Sequence, residues 1–105
     1  MTEAAGNRRT KSRVLRLAVR RIYFEEIQAG TKTHELRLHN AYWSKRLIGR
    51  SYDTIEITLG YPRRDDASRR LSFPWDGFSV CSILHPEFGA VPVTVFKIHL
   101  LKQPA

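Results

Sequence analysis

The sequence predicts an α/β domain of the α+β type, a curved, barrel-like sheet of about five to six strands with two or three short helices. A chain of 105 residues is long enough for one domain with one modest core. Its apolar residues alternate with polar ones in short runs, which glycine and proline separate. Short strands with frequent turns favour a sheet that curls, with helices packed at its side or ends.

The first strand and the first helix are predicted from a change of period. After Arg13 every second side chain is apolar, at Leu15, Leu17 and Val19. This alternation is typical of a strand with one face in the core. A helical repeat follows, formed by Ile22, Tyr23, Glu26 and Ile27. Gly30 is expected to end this short helix, because glycine readily adopts the left-handed backbone of a helix C-terminus.

The middle of the chain contains two further strands and a second helix. A strand is predicted at residues 33–38, and Asn40 is expected to cap a short helix that Gly49 ends. Residues 54–59 form the clearest strand, with isoleucine and leucine on one face and threonine and glutamate on the other.

The last third of the chain predicts two strands after a polar loop. A stretch with four arginines and two aspartates runs up to Arg70, and Pro74, Asp76 and Gly77 are typical of a turn. The final strands are predicted at residues 78–84 and 91–101.

Composition narrows the class of protein. We expect residues 1–12 to form a flexible basic arm and residues 13–105 a single domain. No apolar stretch approaches the roughly 20 residues that cross a bilayer. The lone Cys81 has no partner for an internal disulfide and no Cys/His neighbours for a zinc site. We therefore expect a cytoplasmic protein without a structural metal or a cofactor, and a monomer by default.

The charge balance points to an anionic partner. Eighteen lysines and arginines against ten aspartates and glutamates give a net charge of +8 and an isoelectric point near 10.3. A basic domain favours polyanions, because each phosphate that it neutralises releases a counterion. The expected partner is RNA, a nucleotide or a modified nucleoside.

Residues 30–37, Gly-Thr-Lys-Thr-His-Glu-Leu-Arg, carry a family resemblance. They resemble the G-x-K-x-x-E-x-R signature of the ASCH domain, and the preceding Tyr-Phe-Glu-x-Ile at 23–27 agrees with that context. Leu-Gly-Tyr-Pro at 59–62 also looks like the small stand-alone ASCH proteins of bacteria and phages. The resemblance covers about residues 14–101 and implies a PUA-like β-barrel with a function connected to RNA.

Each motif residue has a chemical reason to be there. Lys32 places an ammonium just beyond the turn at Gly30, where a phosphate or a polarised carbonyl can meet it. Glu35 and Arg37 are two residues apart on a strand and share one face, so that they can pair while the guanidinium also grips an anion. Glu35 can instead accept hydrogen bonds from a base. The alternative is a surface salt bridge worth under about 1 kcal/mol.

Aromatic and basic side chains elsewhere extend the predicted binding site. The aromatic residues that could stack on bases are Tyr42, Trp43, Tyr52, Tyr61 and Trp75. Trp43 is expected to be a core residue, and Tyr61 is the preferred stacking candidate because it precedes Arg63 and Arg64 in a loop. These two arginines either follow a phosphate backbone or form a solvated hairpin tip.

The sequence leaves open whether the protein is an enzyme. The ASCH family includes a similar subgroup of amidohydrolases, which remove the acetyl group from N4-acetylcytidine. The motif of that subgroup has a nucleophilic threonine three positions after the lysine, whereas position 35 of this chain is glutamate. Thr33 is out of register for that role, and Glu56 or Glu87 are candidates for the distal acid. Ribonuclease action with Lys32 and Glu35 as catalytic residues is a further possibility, and a protein-interaction adaptor is the third. No Ser/His/Asp arrangement is visible.

Overall fold

The computed structural model describes residues 13–100, which form five strands and two α-helices. The strands are β1 (Val14–Val19), β2 (His34–Leu38), β3 (Thr54–Leu59), β4 (Arg70–Ile83) and β5 (Val93–Leu100). The helices are α1 (Arg21–Ala29) and α2 (Ala41–Leu47), with 3-10 turns at Ala67–Arg69 and Pro86–Phe88. None of the described helices is long and apolar enough to cross a membrane. The predicted arm at residues 1–12 lies outside the described residues.

The five strands form one mixed sheet in the order β1-β3-β4-β5-β2. β1 and β3 are parallel, with Leu17 opposite Ile57, and all other neighbours are antiparallel. The α+β class and the strand number agree with the prediction. The sheet is open, because β1 and β2 form its two edges and have no ladder between them within residues 13–100.

β4 differs from the prediction, which placed a turn at Pro74, Asp76 and Gly77. The strand continues through this segment and changes partner: its first half pairs with β3 and its second half with β5. The register shifts between Trp75 and Phe78, where Gly77 has a positive φ of 78°. The turn prediction was wrong because Pro74 stays in register opposite Thr54 and the irregularity at Asp76 and Gly77 is a bulge within a continuous strand.

The core lies between the sheet and the two helices. The period-two predictions are confirmed, since Leu15, Leu17 and Val19 of β1 are all buried. Their companions in the core include Ile55, Ile57, Phe96 and Ile98. In α1 the buried pair is Phe24 and Ile27, whereas Ile22 is 58% exposed. The predicted helix and its end at Gly30 are confirmed, and its buried face contains Phe24 and Ile27.

Two helix caps set the positions of side chains at the functional site. Gly30 ends α1 with φ 84°, and the backbone N–H groups of Thr31 and Lys32 both donate to the Glu26 carbonyl, at 3.0 and 3.1 Å. Asn40 begins α2, as predicted, by accepting a hydrogen bond from the Trp43 backbone N–H at 2.9 Å. The first cap starts the turn that leads to β2, and the second orients the first turn of α2.

Gly30→Ala is expected to lower the free energy of unfolding by about 1 kcal/mol. An added Cβ at Gly30 meets nothing within 4 Å, so the cost comes from the left-handed backbone alone. Gly30→Asn is the matched control and should lose less stability than Gly30→Ala, since asparagine tolerates this backbone conformation. Urea unfolding of the three proteins measures the difference; an alanine variant as stable as the glycine protein would contradict it.

Candidate functional site

The three charged side chains of the 30–37 segment meet at one point. Arg37 Nη1 donates to Glu35 Oε2 in a very short contact, and Lys32 Nζ lies 3.7 Å from Glu35 Oε1. The residue Glu35 is only 4% exposed, and the side chains of both cations are mostly buried. A surface salt bridge is thereby excluded, and the predicted face shared by Glu35 and Arg37 is confirmed.

Arg37 also connects the two open edges of the sheet. Its Nη2 donates to the Ala18 carbonyl in β1 at 3.0 Å, and its Nη1 contacts the Leu36 carbonyl at 3.3 Å. One guanidinium thus satisfies Glu35 and a backbone acceptor from the opposite edge strand. The planar fork of arginine allows both sets of contacts at once, which a lysine ammonium could not reproduce.

The trio lines a pocket of about 270 Å³ between β1, β2 and the two helices. Tyr23 of α1 and Trp43 of α2 form aromatic walls. Lys32 Nζ lies 5.2 Å from the Tyr23 ring centre, and the Arg37 guanidinium carbon lies 5.2 Å from the Trp43 ring centre. Both distances are within the range of cation–π attraction. Trp43, predicted as a core residue, both packs against the core and faces this pocket.

The far side of the pocket comes from the 3-10 turn Pro86–Phe88, which contains Glu87, one of the two candidates for a distal acid. Glu87 Oε2 accepts a hydrogen bond from the Tyr23 hydroxyl at 3.0 Å and pairs with Arg20 Nη1 at 2.9 Å. Burial and the Glu87 carboxylate raise the pKa of Tyr23. His85 lines the same wall. Since 64 residues separate Tyr23 from Glu87, no local pattern could reveal this contact.

Of the two candidates for a distal acid, only Glu87 lies at the pocket. Glu56 instead pairs with Arg16 at 3.0 Å and with Arg70 at 3.2 Å, on the neighbouring strands β1 and β4. Thr33 also lies outside the pocket, and its hydroxyl is 3.1 Å from His34 Nδ1. The expectation that Thr33 is out of register is confirmed by this position.

A second hollow of about 550 Å³ adjoins the pocket. Its lining contains three arginines, namely Arg16, Arg37 and Arg70. Tyr61 stands on its margin and is 94% exposed. The predicted stacking residue is therefore next to the motif, and its ring is free for contact.

The remaining predicted binding residues are not brought to the site. Arg63 and Arg64 line neither the pocket nor the second hollow. The Arg63 side chain is 88% exposed and lies 4.0 Å from the Asp65 carboxylate. Tyr52 and Trp75, named above as possible stacking residues, pack edge to face against each other beside the core.

The structure brings together one Ser/His/Asp group that the sequence did not reveal. Ser79 Oγ lies 3.3 Å from His99 Nε2, and His99 Nδ1 lies 3.8 Å from Asp76 Oδ2. The longer distance exceeds a hydrogen bond, and the Asp76 side chain is open to solvent. A catalytic triad needs its aspartate buried and bonded to the histidine, so these three residues form a surface polar cluster.

Comparisons of the chain with protein-family models, curated proteins and solved structures found no match. Within residues 13–100, no group of three or more His, Cys, Asp or Glu side chains is arranged to hold a metal ion. The chemistry of the pocket therefore follows from its own side chains.

The Glu35 carboxyl has the most perturbed environment of the site. Burial raises its pKa above the ordinary value of 4.5, while the charges of Arg37 and Lys32 act in the opposite direction and offset part of the effect. A carboxyl with a raised pKa can exchange a proton nearer to neutral pH than an exposed one, which makes Glu35 suitable as a general acid or base.

This raised pKa predicts how stability depends on pH. Because folded Glu35 holds its proton more tightly than the unfolded chain, its contribution is complete below about pH 4.5 and is lost as the pH rises through the folded pKa. The wild type should therefore lose stability relative to Glu35→Gln as the pH increases, by at most about 1.4 kcal/mol per pH unit. Chemical denaturation of both proteins measures this difference. The opposite slope would mean that the two cations outweigh burial.

Proposed function

We propose that the chain is an ASCH-type domain with a PUA-like fold that binds RNA or a nucleotide in the pocket of Lys32, Glu35 and Arg37. The observation that carries the proposal is the convergence of these three motif residues on one partly enclosed cavity. The cytoplasmic setting expected from the single Cys81 agrees with such a ligand.

The pocket offers complementary groups to a nucleobase and to the charge beside it. The Glu35 carboxylate accepts hydrogen bonds, as the exocyclic amine or ring N–H of a base requires. Lys32 and Arg37 donate to base carbonyls or phosphate oxygens. Tyr23 and Trp43 supply flat apolar walls, against which an unpaired base can pack.

The volume and charge of the pocket agree with this class of ligand. About 270 Å³ is near the lower limit of small-molecule pockets, roughly 300 Å³, and fits a base with part of its sugar. The net charge of +8 strengthens the attraction of any polyanion to the domain. Association is therefore expected to depend on salt.

Lys32→Gln and Arg37→Gln are each expected to weaken RNA binding about tenfold or more. A hydrogen bond to a charged group contributes about 1.5–3 kcal/mol, and each loss should also reduce the salt slope by about one. Fluorescence anisotropy with labelled single-stranded RNA at several salt concentrations measures both effects. Arg37→Lys retains the charge but loses the fork, and should fall between the wild type and Arg37→Gln.

Arg21→Gln is the matched control for these variants. Its side chain is exposed, lies 3.8 Å from Glu25 on α1, and lines neither the pocket nor the second hollow. If Arg21→Gln weakened RNA binding as much as Lys32→Gln does, the effect would come from total charge alone. That result would contradict a specific binding site at Lys32. Absence of any spectral change with RNA and nucleotides would favour the protein-interaction adaptor.

A hydrolase acting on RNA or a modified nucleoside is the second candidate. It is favoured by the position of Glu35, a buried carboxyl with a raised pKa beside Lys32, and by the second acid Glu87 on the opposite wall. Such a carboxyl could take a proton from a water molecule or a 2′-hydroxyl, and Lys32 could stabilise the developing negative charge. The threonine nucleophile of the N4-acetylcytidine amidohydrolases has no counterpart at position 35.

The enzymatic candidate predicts product formation that depends on two residues. Lys32→Ala should abolish turnover, and Glu35→Gln should reduce it about a hundredfold or more, because general acid–base catalysis contributes about 10²–10⁴-fold. Chromatography of N4-acetylcytidine and of labelled RNA after incubation measures the products. Intact substrates after incubation with the folded wild type would rule out both reactions.

A further inference from the structure

The pocket and the second hollow adjoin each other. Three residues, Ala18, Arg37 and Trp43, line both of them. Arg37 reaches across this boundary, since it contacts Glu35 on the pocket side and the β1 carbonyl of Ala18. A ligand that leaves the pocket along this boundary meets the second hollow next.

The second hollow has the charge of a phosphate subsite. Arg16, Arg37 and Arg70 line it, and Glu56, which pairs with Arg16 and Arg70, does not. Arg70 is held in place by hydrogen bonds to the carbonyls of residues 62 and 63, at 3.3 and 2.8 Å. Arg16 is 67% exposed along its side chain, so its guanidinium remains accessible beside Glu56. Fixed arginines at a concave surface are well suited to phosphate oxygens.

The margin of the hollow has the chemistry of a base-stacking platform. Tyr61 is 94% exposed and lies in the loop between β3 and β4. Tyr42 also lines the hollow, and its ring is covered on one side by the Arg46 guanidinium at 3.6 Å. Exposed aromatic rings beside arginines are the usual means of holding bases of a single strand.

We propose that the second hollow binds the nucleotide that follows or precedes the one in the pocket, so that the preferred ligand is a single-stranded polynucleotide. This inference rests on the proposed function of the pocket and names its ligand class. A free nucleotide has one base, which occupies the pocket of about 270 Å³ with part of the sugar, whereas a strand also places a phosphodiester among the arginines and a second base on Tyr61. A duplex is a poor ligand, because its paired and stacked bases cannot enter the pocket or reach the tyrosine.

The test compares ligands of three kinds with the full chain. Isothermal titration measures the affinity for the four nucleoside monophosphates, a random single-stranded RNA hexamer and a blunt RNA duplex. The hexamer should bind about tenfold or more tightly than any monophosphate, and more tightly than the duplex at equal salt. Tyr61→Ala should weaken hexamer binding about fivefold or more and leave monophosphate binding unchanged. Tyr61→Phe retains the ring and should bind like the wild type.

Arg16→Gln tests the phosphate half of the subsite. It should weaken hexamer binding and reduce its salt slope by about one, with little effect on monophosphates, whereas the control Arg21→Gln should alter neither. Tyr61→Ala should be as stable as the wild type, because the Tyr61 ring is exposed and packs against no core residue. Thermal unfolding of both proteins checks this.

The outcomes separate the two proposals. Equal affinity for monophosphates and hexamer, tighter binding of the duplex, or an unaffected Tyr61→Ala would overturn the second subsite and leave the pocket standing. Failure of every ligand to bind the folded wild type would overturn the pocket and the subsite together. Loss of monophosphate binding in Tyr61→Ala would also contradict the division into two subsites.

Discussion

The buried carboxylate of Glu35 between Arg37 and Lys32 is the constraint on which the site depends. Transfer of a carboxylate out of water costs several kcal/mol unless cations and hydrogen bonds replace its hydration. Here the replacement comes from two side chains of the same short segment, which the turn at Gly30 brings together. Such an arrangement adds little to stability, since burial offsets much of the attraction. The cluster therefore contributes less to the stability of the domain than to the charge and shape of the pocket that it lines.

Arg37 links this charge cluster to the architecture of the sheet. The sheet is open, and β1 and β2 are its two edge strands. The guanidinium donates to the Ala18 carbonyl of β1 while it holds Glu35. Closure by a full ladder would fill the space in which the pocket lies. A side-chain bridge joins the edges and leaves that space available to a ligand.

β4 is the strand that joins the two halves of the sheet. One strand of 14 residues pairs first with β3 and then with β5, and the bulge at Gly77 lies where the partner changes. Bulges increase local twist and bend the strand that carries them. β4 thus joins the half of the sheet that contains β1 to the half that contains β2, and Arg37 spans these two edge strands. The site therefore depends on the pairing of a strand far from the motif in sequence.

Local patterns in the sequence determined the strands of the core and the two helix caps, and the resemblance to the ASCH signature singled out Lys32, Glu35 and Arg37. Alternation and helical spacing act over a few residues, so Leu17, Asn40 and the pair of Glu35 and Arg37 were predictable from their neighbours alone. The continuous β4, the Glu87 wall and the Ser79–His99–Asp76 cluster were not. Each of these features depends on pairing between segments that are distant in the chain. A proline or a glycine in the sequence is equally compatible with a turn and with a bulge. Only the tertiary structure decided that Glu35 is buried and that Tyr61, without Arg63 and Arg64, lines the hollow next to the pocket, because burial and proximity are properties of the packed chain.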